Sequence, residues 1–151
     1  MKKPLQIVLI GVLFLMLVAV RAFVQPYFYD PLIEYFKSDY LHSAFPQLNL
    51  TLFFLNILYR YALNTMISLA IIYLYFKNLN ILKFSLQFYV IAFVLLSLLL
   101  FILLKFNLEQ GYMFVFYVRR FLIQPLFLLL LLPAFYYQRL IKKRNFKKRK
   151  L

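Results

Sequence analysis

Three arginines lie inside apolar stretches of this chain and are the first residues that ask for chemistry. Arg60, Arg119 and Arg120 are flanked by Leu, Ile, Phe, Tyr and Val. At the centre of a membrane-spanning helix an arginine costs about 2.5–3.5 kcal/mol on insertion scales, so it faces a partner or a watery cavity. Each has polar company at helical spacing. Asn56, Arg60, Asn64 and Ser68 recur every four residues with Thr65 beside them, a slowly drifting stripe on one helix side. Gln124 follows Arg120 by four, and Pro125 frees the carbonyl of Phe121 because proline has no N–H to donate. Arg119 and Arg120 project about 100° apart on a helix, which predicts that both do not enter one pocket.

Two readings of these residues stand side by side. In the first, Arg60, Arg119 and Arg120 form an anion or partner site opening outward, with Asn64 and Gln124 as neutral hydrogen-bonders. Arginine suits that role because its planar fork grips carboxylate or phosphate at two points. In the second, the arginines are structural. Asp30, Glu34 or Asp39 then folds back as a counter-charge, or the guanidinium groups snorkel to lipid phosphates.

Other chemistry finds little footing. The chain has no cysteine, so disulfides, thiolate metal sites and cysteine nucleophiles are excluded. Only two glycines occur, too few for a phosphate-cradling loop or Gly-packed helices. His42 is the single histidine and belongs to no metal-binding pattern. No serine sits in a nucleophile elbow. Asp30 and Glu34 share a four-residue spacing, which reads as capping and solvation of a short helix rather than a catalytic pair. The expectation is a protein without metal or cofactor and without catalysis of its own.

The elements that position these residues are dictated by apolarity. The 151 residues are 66% hydrophobic, with a mean hydropathy of +0.83, against about 45–50% apolar in a soluble domain. A domain this small cannot hide the excess from water, whereas a bilayer removes the difficulty. Four stretches, residues 5–24, 52–76, 84–104 and 112–137, suit the roughly 20 helical residues that cross about 30 Å of hydrocarbon. They lack the strict alternation of barrel strands, and backbone groups in lipid must be satisfied within the segment, so they read as helices.

Charge sets the orientation. Lysine and arginine in short loops favour the cytoplasmic side. With the N-terminus inside, twelve basic residues fall in cytoplasmic segments, and only Arg21, Lys37 and Lys105 fall outside. Arg60 lies sixteen residues before Phe76, and Arg120 seventeen before Tyr137, about 24 and 25 Å from the inner ends of their helices. Both arginines therefore reach the outer part of the bilayer. The net charge of +14 suggests nucleic acid at first sight, but its distribution argues for topology, and no nucleic-acid partner is expected. The basic tail, residues 138–151, reads as an anchor for anionic lipids, with docking of a cytoplasmic partner as the sharper alternative.

Two details complete the expected architecture. Lys2, Lys3 and the first apolar run resemble a signal peptide, but Val20-Arg21-Ala22 is a poor cleavage site, which favours an uncleaved helix. The extracytoplasmic segment, residues 25–51, is aromatic. Asp30-Pro31 reads there as an N-cap opening a short interfacial helix over residues 31–37. The fold expected is an all-α integral membrane protein, a single polytopic domain. It is a four-transmembrane-helix bundle with that short extracytoplasmic interfacial helix and both termini cytoplasmic.

At the arginines the sequence resembles a known family. Arg60-Tyr61-Ala62-Leu63-Asn64-Thr65 with Ser68-Leu69-Ala70-Ile71-Ile72-Tyr73 is similar to the central motif of the exosortase F system-associated membrane proteins of Bacteroidetes. So is Phe116-Tyr117-Val118-Arg119-Arg120-Phe121-Leu122-Ile123-Gln124-Pro125-Leu126, continuing to Pro133-Ala134-Phe135-Tyr136-Tyr137. The outer Phe28-Tyr29-Asp30-Pro31-Leu32 with Glu34-Tyr35-Phe36 also fits, so the resemblance runs over nearly the whole chain. It implies a bacterial inner-membrane protein encoded near an exosortase and working with it. Exosortases process C-terminal sorting signals with a Cys, an Arg and a His, and this chain has no Cys, so the resemblance does not extend to that activity. The function expected is a non-catalytic accessory protein of protein sorting, in contact with membrane lipids and an exosortase. The alternative is an intramembrane enzyme or carrier binding an anionic lipid-linked group through the three arginines.

Overall fold

A computed structural model describes residues 3–27, 30–38, 47, 49–106, 112–124 and 126–149, and among them there is no strand. The first helix, α1 (Lys3–Ala19), continues through a π turn (Val20–Val24) and a 3₁₀ turn (Gln25–Tyr27). A short helix follows, α2 (Leu32–Lys37), and then two long ones, α3 (Leu50–Phe76) and α4 (Leu79–Lys105). Last come α5 (Tyr112–Ile123) and α6 (Leu126–Lys148).

Three helical stretches are long and apolar enough to cross a membrane: Lys3–Val24, Leu50–Phe76 and Leu79–Lys105. A fourth is added if Met113–Ile123 and Leu126–Lys148, bent 64° from each other, make one broken span. Large apolar side chains stand exposed along these helices, among them Ile7, Leu15, Met66 and Leu95. Apolar surface left outward over whole helices is what a hydrocarbon solvent permits and water does not.

Local chemistry explains the joints. Asn49 caps α3 by accepting from the Leu52 N–H at 3.3 Å. Lys77 ends it in the left-handed region, φ 50°, and its N–H donates to the Tyr73 carbonyl at 2.8 Å. Asn78 then caps α4 by accepting from the Asn80 N–H at 2.8 Å. The α3–α4 connection therefore needs only Lys77 and Asn78, and α4 starts at Leu79 rather than near residue 84. Lys83, which lies between the apolar stretches 52–76 and 84–104, is thus within the helix.

The packing order follows from side-chain pairs. Gln6 near the start of α1 donates to the carbonyl of Leu74 near the end of α3, so the two run antiparallel. Phe54 meets Phe101 and Tyr61 meets Phe93, which sets α3 antiparallel to α4. Phe88 packs on Phe127, and both Phe84 and Phe76 pack on Phe135. The start of α6 is thus level with the middle of α4, and Phe135 is level with the end of α3. Beyond Phe135, α6 runs on for thirteen residues, about 20 Å of exposed basic helix. Pro133 lies inside α6 without ending it; the chain instead breaks between Ile123 and Leu126.

Candidate anion-binding cleft

The end of the bundle where α1 finishes and α3 begins holds the buried charged residues. Arg60 on α3 and Arg119 on α5 are both buried, 4% and 6% exposed. They converge on one carboxylate. Both oxygens of Asp30 accept from Nε of Arg119 at 3.1 Å, and Oδ2 also accepts from its Nη2. Nη1 of Arg60 reaches the same Oδ2 at 3.4 Å. Asp30 thus ties together the segment before α2, α3 and α5.

This arrangement decides between the two expected roles of Asp30, for the counter-charge and against the helix cap. Its side chain does not cap α2, which carries no side-chain cap bond. Its carboxylate is spent on the arginines, and only its backbone carbonyl joins the helix entry, accepting from the Ile33 N–H at 3.1 Å. Glu34 is exposed on α2 and takes no part in an ion pair among the described residues. Asp39, the third proposed counter-charge, lies outside the described residues, as does His42.

Asn64 is also reassigned. Its Nδ2 donates to the Ile123 carbonyl at 3.0 Å. Ile123 is the last residue of α5, and the carbonyls of a final helical turn lack intrahelical partners. Asn64 therefore caps the end of α5 from α3, and it does not line the cleft. Below it the polar stripe continues inward with Thr65 and Ser68, both buried, while Tyr61 donates from its hydroxyl to the Tyr89 carbonyl at 2.7 Å. Asn56 turns back on its own helix, donating to the Leu52 carbonyl at 2.7 Å.

Beside the Asp30 tie lies a cleft of about 350 Å³ lined by five basic residues, Arg21, Lys37, Arg60, Arg119 and Arg120. Its walls include Ile33, Phe36, Phe116 and Ile123. Phe36 of α2 meets Phe116 of α5 edge to face, with ring centroids 5.2 Å apart, which fixes the short helix against the bundle. Arg120 is exposed, and its Nε donates to Oε1 of Gln124 at 3.1 Å, one helical turn on. The expectation that Arg119 and Arg120 cannot share a pocket fails here. They do diverge, one to the buried carboxylate and one outward, but the cleft is wide enough to touch both.

Arg21 and Lys37 were read in the sequence only as orientation charges. Arg21 lies eighteen residues after Lys3, about 27 Å along the helix, which is close to the 24 Å offset of Arg60 on the antiparallel α3. That match was the available signal. Nothing in the spacing of Lys37 pointed to the cleft, because its place depends on how α2 docks.

No family model matches the chain, and no curated protein or solved structure matches it either.

Proposed function

We propose that this chain is a multi-pass protein of a bacterial cytoplasmic membrane, oriented with both termini in the cytoplasm. It serves there as a non-catalytic accessory subunit of an exosortase protein-sorting system. The resemblance of the Arg60 and Arg119–Arg120 motifs to the exosortase F system-associated membrane proteins supplies the system. The observation that carries the accessory role is the sharing of Asp30 between Arg60 and Arg119. Two of the three arginines that an enzyme or carrier needs for phosphate are already engaged by a resident carboxylate. Their work is to hold three segments together. Arg120, with Arg21 and Lys37, is left at the cleft as a recognition surface rather than a reaction centre.

The test is co-purification. An affinity-tagged copy, solubilised from its native membrane in a mild detergent, brings the exosortase with it. A deletion strain mis-sorts proteins carrying the C-terminal signal. Clean purification without the exosortase, together with normal sorting in the deletion strain, overturns the proposal.

A further inference from the structure

We infer that the cleft seats the phosphate of an anionic amphiphile, a phospholipid-type headgroup, with Arg120, Arg21 and Lys37 as its ligands. The inference rests on the membrane placement proposed above and names the ligand of the same cleft.

Charge comes first. Five cations line the cleft, and among the described residues Asp30 is the one carboxylate bonded to any of them. Asp30 is itself 4% exposed at its side chain and already divided between Arg60 and Arg119. Among the described residues the cleft therefore keeps a positive excess, and three of its cations, Arg21, Lys37 and Arg120, are exposed. Two arginine forks and a lysine point charge, arriving from three different helices, match the several oxygens of a phosphate.

Depth selects an amphiphile. Arg21 and Arg60 both stand about 24–27 Å above the inner ends of their helices, against roughly 30 Å of hydrocarbon. The cations therefore lie at the outer boundary of the hydrocarbon, where lipid phosphates begin. Shape agrees. The cleft's volume of about 350 Å³ is at the small end of ligand sites, sized for a headgroup rather than a folded peptide. Its wall also carries the apolar side chains of Ile33, Phe36, Phe116 and Ile123, which suit the first carbons of an acyl chain better than a free inorganic ion. Gln124 holds the Arg120 guanidinium through Nε, which leaves the two terminal nitrogens to face a ligand.

Native mass spectrometry of the full-length protein, delipidated in a maltoside detergent and titrated with phosphatidylglycerol, reads this directly. One tightly held phosphatidylglycerol is expected. Arg120→Gln removes a charge-assisted contact and weakens retention about tenfold, while Arg120→Lys restores part of it. The triple change Arg21→Gln, Lys37→Gln and Arg120→Gln abolishes the tight copy. These three side chains are exposed, so the melting temperature stays near that of the parent and separates lost binding from lost folding. Retention by the triple variant equal to the parent overturns the cleft as the site. Displacement of the lipid by an equal concentration of inorganic phosphate shows that free phosphate is the ligand and overturns the amphiphile. Failure of the accessory role shows instead as a lost exosortase with cleft-dependent lipid binding intact.

Discussion

Asp30 and Arg119 meet across eighty-nine positions of sequence, with Nε of the arginine donating to both carboxylate oxygens at 3.1 Å. A contact of this span closes the end of the bundle where α1 finishes and α3 begins, because it fixes the segment entering α2 to α5. Arg60 joins through one longer contact of 3.4 Å. Removing the carboxylate takes from buried Arg119 its ion-pair partner among the described residues and from Arg60 one longer contact, and breaking a buried pair costs about 3–5 kcal/mol. Asp30→Ala is therefore expected to be strongly destabilising. Double-mutant cycles in mixed micelles titrated with dodecyl sulfate give the apportionment. Asp30→Ala with Arg119→Ala shows the larger coupling, and Asp30→Ala with Arg60→Ala the smaller. Additive behaviour in both cycles means that the tie does not hold the fold.

Asn64 supports the other structural joint. Its amide answers the orphaned carbonyl of Ile123 where α5 stops. Asn64→Ala removes the donor from that half-buried carbonyl, at a cost of about 1 kcal/mol. Asn64→Asp also loses the donor and adds a charge at the same place, so it destabilises at least as much. Phosphatidylglycerol retention by Asn64→Ala remains that of the parent, because Asn64 is absent from the cleft wall. Thermal unfolding and lipid titration of the same variant check the two halves separately. A variant of parental stability that loses lipid restores Asn64 to the binding site.

The difference between what was readable and what was not follows the range of the forces involved. Long apolar runs announce helices, because burial of a whole face repeats every few residues. The helices over Leu50–Phe76 and Leu79–Lys105 are visible in that way. Their junction is tighter than the apolar stretches alone suggest, because Asn78 supplies a local cap that makes a two-residue connection sufficient and α4 begins ahead of its apolar run. Pro125 signals a freed carbonyl, yet its N–H deficit alone does not tell a kink from a break; Pro133 sits within a continuing helix. At the site, depth along a helix places Arg60 near Arg119 and Arg120, but not which of the two turns inward. Arg119 wins because Asp30 is there to receive it, and that carboxylate arrives only through the docking of a distant segment. Asp30 itself was readable both as a helix cap and as a counter-charge, and tertiary contact decided for the second.

The orientation proposed for the bundle makes a labelling experiment decisive, and the chain is unusually well suited to it. It contains no cysteine, so any single cysteine reports without background. Ser38 follows α2, is exposed, and donates its hydroxyl only to the Tyr35 carbonyl at 3.0 Å; its replacement by cysteine is mild. Asn145 lies on the exposed basic extension of α6. In the proposed orientation, which follows the twelve-to-three bias in basic residues, Ser38 is expected outside and Asn145 inside. Asn78 in the α3–α4 connection, at the opposite end of α3 from Arg60's cleft, belongs inside with Asn145. In intact cells a membrane-impermeant maleimide is expected to label Ser38→Cys, and to label Asn78→Cys and Asn145→Cys only after permeabilisation. The opposite pattern inverts the bundle and moves the basic cleft to the cytoplasmic face. Labelling of Ser38→Cys and Asn78→Cys from the same side means that Leu50–Phe76 does not cross.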